Sequence, residues 1–240
     1  MRKKKLKRCV PNLDWEVDEI VNKDGSIGNK YYYKGLPAIK IPLRGKISTR
    51  MAGYTLIHHD LRMILCWLQI IIEEHKRLGL DKTKQSIVHI TPENLRDRFD
   101  EIKAFMVASI SFYGKLFTQA EGRKVKLEVN IFEQNEELIK MHNEIMMFRH
   151  NFSAHSGQEK VEYVEVSLFL DSKKDRNTIP FLVKTMDQPN AFKNKFLNDF
   201  VKICNYLLEK VDLKINLLTK KYYKDLTPAQ IEMMNAISEK

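Results

Sequence analysis

The chain has 240 residues, 43% hydrophobic and 30% charged, with a formal net charge of +10. This composition excludes global disorder and allows one full-sized core; the longest apolar run, Ile64 to Ile72, is broken by Gln69 and too short to cross a bilayer. Cys9, Cys66 and Cys204 lie far apart with no Cys-x-x-Cys pair, which argues against a disulfide framework and a structural zinc site, and the positive surplus favours a polyanionic partner, nucleic acid first.

Residues 1–10 read as a basic tail, a phosphate-touching arm or a solvated terminus. Pro11, Asn12, Asp14 and Glu16 stand where a signal peptide would need an apolar stretch, so a cytoplasmic protein is expected. Partial alternation from Leu13 to Val21, turn residues at Asn22 to Gly25, and Tyr31-Tyr32-Tyr33 predict a β-hairpin. Its tyrosines could stack on bases, but packing against the body is the favoured reading. Gly35, Pro37, Pro42 and Gly45 mark an extended connector.

A long core helix is expected from near Thr49 to Gly79, with Ile57, Leu61, Ile64, Leu65, Leu68, Ile71 and Ile72 on its apolar face. His58-His59-Asp60 on it invite a metal reading, yet adjacent helical residues point about 100° apart, and a surface role is favoured. Thr91-Pro92-Glu93 announces a second helix with proline at its first position, and Leu95, Phe99, Ile102, Met106, Ile110, Tyr113 and Phe117 carry its stripe. The following loop, Arg123-Lys124-Val125-Lys126, could guide RNA or be a solvated turn.

The stretch from Phe132 to Gly157 places Leu138, Met141, Ile145, Phe148 and Phe152 at spacings of three and four, one buried stripe. His142 and Arg149 lie seven apart on the same side, and His150, Asn151, Ser153 and His155 follow. Beyond Gly157 the period changes to two: Val164, Val166, Leu168 and Leu170, then Ile179, Phe181 and Val183, predict an inserted β-hairpin near 162–186 with one buried face, packed like a lid on the core. Pro189 opens another long helix with Phe192, Phe196, Phe200, Ile203, Leu207 and Val211 inward, and Thr227-Pro228-Ala229-Gln230 starts a short terminal helix.

Arg149-His150-Asn151-Phe152-Ser153-Ala154-His155 resembles the Arg-x(4–6)-His motif of the HEPN superfamily (higher eukaryotes and prokaryotes nucleotide-binding), at the end of an amphipathic helix in a basic, mainly helical chain. The resemblance implies a mainly α, up-and-down helical bundle, here with an N-terminal β-hairpin extension over residues 1–48 and a helical domain over 49–240 interrupted by a hairpin at about 159–187. It implies a metal-independent endoribonuclease without cofactor, of the prokaryotic toxin or antiphage-defence type, acting as a homodimer with a composite site and answering to an antitoxin or regulatory partner. Arg149 would contact the scissile phosphate and His155 handle the proton; His150, Asn151, His142 and Ser153 would support them, and Arg123, Lys124 and Lys126 would touch RNA. Two alternatives stand beside it: a non-catalytic module binding RNA, nucleotide or protein, and a metal-dependent hydrolase using His58, His59 and His142.

Overall fold

The computed structural model describes residues 4–5, 14–22, 24–79, 92–150, 163–170, 181–187 and 192–225. The terminal helix expected from Thr227 falls outside them. The chain divides into two compact units, Met1–Gly45 with Tyr222–Lys240, and Lys46–Lys221.

The first unit is built on an antiparallel sheet of four strands in sequence order: β1 (Lys4–Lys5), β2 (Trp15–Val21), β3 (Ile27–Tyr33) and β4 (Leu36–Pro37). The predicted hairpin is its centre, in the register Trp15 to Tyr33 through Val21 to Ile27. The turn between them is closed by Asp24, whose carboxylate accepts from the Ser26 amide at 3.0 Å and hydroxyl at 2.7 Å, while Gly25 takes φ +80°. Lys34 and Gly35, both at positive φ, form the next tight turn. Two segments read as tail and connector are strands instead: Lys4–Lys5 pairs with β2 and Leu36–Pro37 with β3.

Among the described residues the second unit carries four helices: α1 (Lys46–Arg77), α2 (Pro92–Leu116), α3 (Glu136–Arg149) and α4 (Asn194–Lys224). α1 stops where Gly79, at φ +69°, donates back to the Lys76 carbonyl at 3.1 Å, the glycine stop expected from the sequence. α2 starts on Pro92 as predicted. α3 begins at Glu136, with the first residue of its stripe, Leu138, in its first turn. A 3₁₀ turn, Val129–Phe132, comes first; Glu133 and Gln134 then adopt left-handed conformations, and the Asn135 side chain caps the helix by accepting from the Leu138 amide at 3.2 Å.

Pairs of contacts set the helix directions. Trp67 meets Phe112 edge-on at 4.9 Å while Asp60 meets Lys115, so α1 and α2 run antiparallel. Phe148 meets Phe196 at 5.1 Å while Glu137 meets Lys202 at 2.9 Å, so α3 and α4 do too. His58 faces Asp212 and Lys214 covers the Tyr54 ring, which closes α4 against α1, and Tyr113 meets Phe200 at 5.4 Å across the middle. The result is an up-and-down bundle, with Ile57, Leu61, Ile64, Leu68 and Ile71 of α1 and Phe196, Phe200, Ile203, Leu207 and Val211 of α4 buried at its core.

The inserted hairpin is present as β5 (Tyr163–Phe169) and β6 (Phe181–Asp187), paired from Tyr163 to Asp187 through Phe169 to Phe181. Its expected buried face is neither single nor buried: the register sets Phe181 and Val183 beside Phe169 and Ser167, on the face opposite Val166 and Leu168, and Val166, Leu168, Leu170 and Phe181 are all more than half exposed. A two-stranded ribbon needs a second layer to bury either face, and among the described residues none covers these.

Candidate active site at the end of α3

Arg149 closes the last turn of α3, and His150 caps it, its amide donating to the carbonyls of Met146 and Met147. Packing against α2 brings this end over the last turn of that helix. The stem of Arg149 lies on Gly114: a methyl group added there would stand 2.5 Å from Nε and 3.0 Å from Cζ, and closer still to Cδ. Glycine inside a helix destabilises it by roughly 0.5–1 kcal/mol relative to alanine, so this bare position gives up helix stability where the guanidinium needs room.

Arg149 is half-buried, and among the described residues no carboxylate pairs with it, Glu144 included. A guanidinium in that state keeps its fork of donors for an outside anion. His150 is exposed beside it. Asn151, Ser153 and His155 lie outside the described residues, as does Phe152 of the apolar stripe.

His142 does not share this exposed position. It lies 5% exposed among aromatic rings, 4.4 Å from Phe117 and 5.3 Å from Phe132 by centroid, with Nδ1 3.0 Å from the Tyr113 hydroxyl. Burial pulls the imidazole pKa down, and burial pushes the Tyr113 phenol well up. Both are therefore neutral near pH 7, and they share one hydrogen bond whose direction follows the imidazole tautomer. The spacing of seven does set His142 on the side of α3 that faces α2, as it does Arg149. Tyr113 and Phe117 enclose the histidine, whereas Gly114 leaves the arginine an open seat.

The basic loop is corrected more sharply. Arg123, expected to touch RNA, is 5% exposed: Nη2 donates to Asp60 of α1 and Nη1 to the Lys115 carbonyl of α2 at 3.2 Å. The Asp60 carboxylate, also buried, receives Lys115 Nζ at 3.3 Å as well. Gly53 completes the clamp, since a methyl group there would collide with the Arg123 carbonyl and the Val125 side chain. Lys126 pairs with Glu128 at 3.3 Å, and Lys124 remains exposed in a left-handed conformation. The polar triplet His58-His59-Asp60 thus splits three ways: His58 toward Asp212 at 3.4 Å, His59 to solvent, Asp60 into the core.

No set of three or more histidine, cysteine or acidic side chains among the described residues is placed to hold a metal ion. His142, the third member of the alternative metal set, is committed to Tyr113. A cleft of about 330 Å³ does lie between α3 and α4, but Lys140, Lys195 and Lys202 line it with Glu137, Glu144 and Asp199, and Arg149 is not part of it. Balanced charge makes it a poor seat for a polyanion.

Of the residues that shape the site, sequence reasoning gave Tyr113 only a place in the α2 stripe and Asp60 a surface role, and it passed over Gly114. A glycine between two stripe positions of a helix was the available signal for Gly114. No family model, no curated protein and no solved structure matches the chain.

Proposed function

We propose that the chain is a metal-independent endoribonuclease of the HEPN kind, with Arg149 and His155 as its catalytic pair. The observation that carries this reading is Arg149 itself: a partly buried arginine at a helix end, seated over Gly114 and without a carboxylate partner among the described residues. RNA brings its own nucleophile, so cleavage needs only charge stabilisation on the phosphate and proton transfer.

In the proposed reaction the 2′-hydroxyl gives up its proton and attacks phosphorus as the bond to the 5′-oxygen breaks. Arg149 stabilises the charge that grows on the non-bridging oxygens, and His155 handles the proton, as base toward the 2′-hydroxyl or as acid toward the leaving oxygen. The products are a 2′,3′-cyclic phosphate and a 5′-hydroxyl. His150, Asn151 and Ser153 act as supporting contacts, and two chains joined by a two-fold axis bring two such motifs to one cleft. The role proposed for this activity is that of a prokaryotic toxin or antiphage effector held in check by a partner.

A second reading, a module that binds RNA, nucleotide or protein without cutting, draws on the burial of Arg123 and His142, which removes two of the basic groups expected near RNA. One experiment separates the two. Single-stranded RNA is incubated in EDTA with the wild type, Arg149→Ala and His155→Ala, and product ends are assayed. Cyclic-phosphate ends lost in both variants support the enzyme; absence of cutting by the folded wild-type protein refutes it, and cutting that survives both substitutions refutes the residue assignment.

A further inference from the structure

We propose that the end of the bundle where α1 begins and α4 finishes is a phosphate-binding shelf for the backbone of RNA, made by Lys46, Arg50, Lys214 and Lys221. His58 faces Asp212 at 3.4 Å and Lys214 Nζ lies 5.8 Å from the Tyr54 centroid, so the first turns of α1 run antiparallel beside the last turns of α4. Spacings of three and four carry the buried stripe of α4 from Leu207 and Val211 on to Lys214, Leu218 and Lys221, and that of α1 back from Ile57 and Gly53 to Arg50 and Lys46. Apart from Leu218, the stripe positions past the last buried residues hold cations, and all four cations are exposed. A bundle that only continued its core would be apolar here.

Along these two helices the positive surplus sits at this one end. Residues 46–59 hold two lysines and arginines, Lys46 and Arg50, and residues 213–221 hold three, Lys214, Lys220 and Lys221, with no aspartate or glutamate in either stretch. The remainder is balanced: residues 60–77 of α1 and residues 194–212 of α4 each hold three lysines and arginines against three acids. In that balanced part Lys202 and Lys210 are taken up by Glu137 and Glu133, whereas none of the five at the end has a carboxylate partner among the described residues.

Helix dipoles account for only part of this. Lysines in the last turns of α4 suit its negative end, but Lys46 and Arg50 stand in the first turns of α1, where the dipole is positive and no acid accompanies them in the first turn. Cations there weaken the helix start and gain only when an anion lies against them. From Lys214 to Lys221 the shelf runs about 10 Å along α4, too long for one phosphate group and suited to a strand that presents several. Such contacts position a strand without reading its sequence. The shelf is separate from the seat of Arg149: Asp60, which meets Lys115 next to Gly114, lies ten residues and about 15 Å along α1 from Arg50.

The inference rests on the reading of RNA as substrate, and its test is kept apart from cutting. Fluorescence anisotropy of a labelled single-stranded RNA is measured in EDTA at several salt concentrations with the Arg149→Ala chain, and with Arg50→Gln and Lys221→Gln added to it singly and together. Each substitution should weaken binding about 5-fold near 0.1 M salt, and the pair about 25-fold; each should also make the slope of log affinity against log salt shallower by roughly 0.7, the single-strand value for one phosphate contact. Arg50→Lys with Lys221→Arg keeps both charges and should bind like the parent. Because these side chains are exposed, the circular-dichroism melt should stay in place. Equal affinity and salt slope of the double Gln variant and its parent overturn the shelf, as does no binding by the parent. Loss of binding to phosphatidylserine vesicles in the double Gln variant, with RNA binding unchanged, assigns the patch to a lipid surface and overturns it too. Cutting by the wild type beside an unchanged double variant leaves the ribonuclease reading standing without the shelf; shelf-dependent binding by a wild type that does not cut leaves the shelf without the ribonuclease.

Discussion

Gly114→Ala is the most informative single perturbation of the proposed site. The added methyl group would lie within 2.5 Å of Arg149 Nε and 3.0 Å of Cζ, well inside van der Waals contact, so the arginine must leave its seat. Arginine has flexible torsions and solvent on its outer side, so the move strains the fold little. In the same step alanine raises the helix propensity of α2 by roughly 0.5–1 kcal/mol. Thermal unfolding should therefore occur at an unchanged or slightly higher temperature. Catalysis should respond in the opposite direction, because removing one oriented donor from a developing oxyanion typically costs about 10²- to 10³-fold in rate, and a displaced donor loses part or all of that. The assay is the initial rate of RNA oligomer cleavage in EDTA beside a circular-dichroism melt. A double substitution, Gly114→Ala with Arg149→Ala, should lose no more than Arg149→Ala alone, since both act through one side chain. A Gly114→Ala protein that is as stable as wild type and cuts at the wild-type rate would refute the idea that Arg149 works from its place over α2.

Two further predictions concern stability. His75 and His142 are both buried and both have imidazole pKa values depressed by that burial; Asn194 partly offsets the effect at His75. The unfolded chain takes up protons near pH 6.5 where the folded chain does not, so stability is full above that pH and falls on acidification by up to about 1.4 kcal/mol per pH unit for each histidine, until its folded pKa is passed. Melts between pH 7.5 and 5 should show this slope, and His142→Gln should flatten it; a profile already flat in the wild type would refute the burial of both rings. Asp60→Ala should leave Arg123 as an uncompensated buried charge and destabilise the bundle by about 3–5 kcal/mol, a drop of roughly 10 °C in a domain of this size. A melt within a degree or two of wild type would mean that the clamp opens to solvent.

The long helices were legible because their information is periodic. Every one of Phe196, Phe200, Ile203, Leu207 and Val211 is buried, and Pro92 and Gly79 mark the helix limits their chemistry suggests. The start of α3 was less legible, because Glu133 and Gln134 adopt left-handed conformations without the glycine that usually announces them. Asp60 and Arg123 read as surface residues because each is polar among polar neighbours; their pairing joins positions 63 residues apart, which no local pattern encodes. His142 shows the same limit. Spacing placed it on Arg149's side of α3, but only the tertiary fold brings Tyr113 and Phe117 around it. For β5 and β6 the alternation gave the strands but not their shared face, because only the register decides that Phe181 and Val183 stand with Phe169 and Ser167 and not with Val166 and Leu168.

α1 is, among the described residues, the helix long and apolar enough to cross a membrane, and its stripe is hidden only when α2 and α4 have closed on it. During synthesis that closure comes late. At roughly 5–20 residues per second, the chain from Arg77 to Lys224 takes about 7–30 s to emerge, and for that time α1 presents one flank of its stripe without α4. A nascent chain halted before Asn194 would therefore leave that flank bare, and α4 is the segment whose arrival ends the exposure.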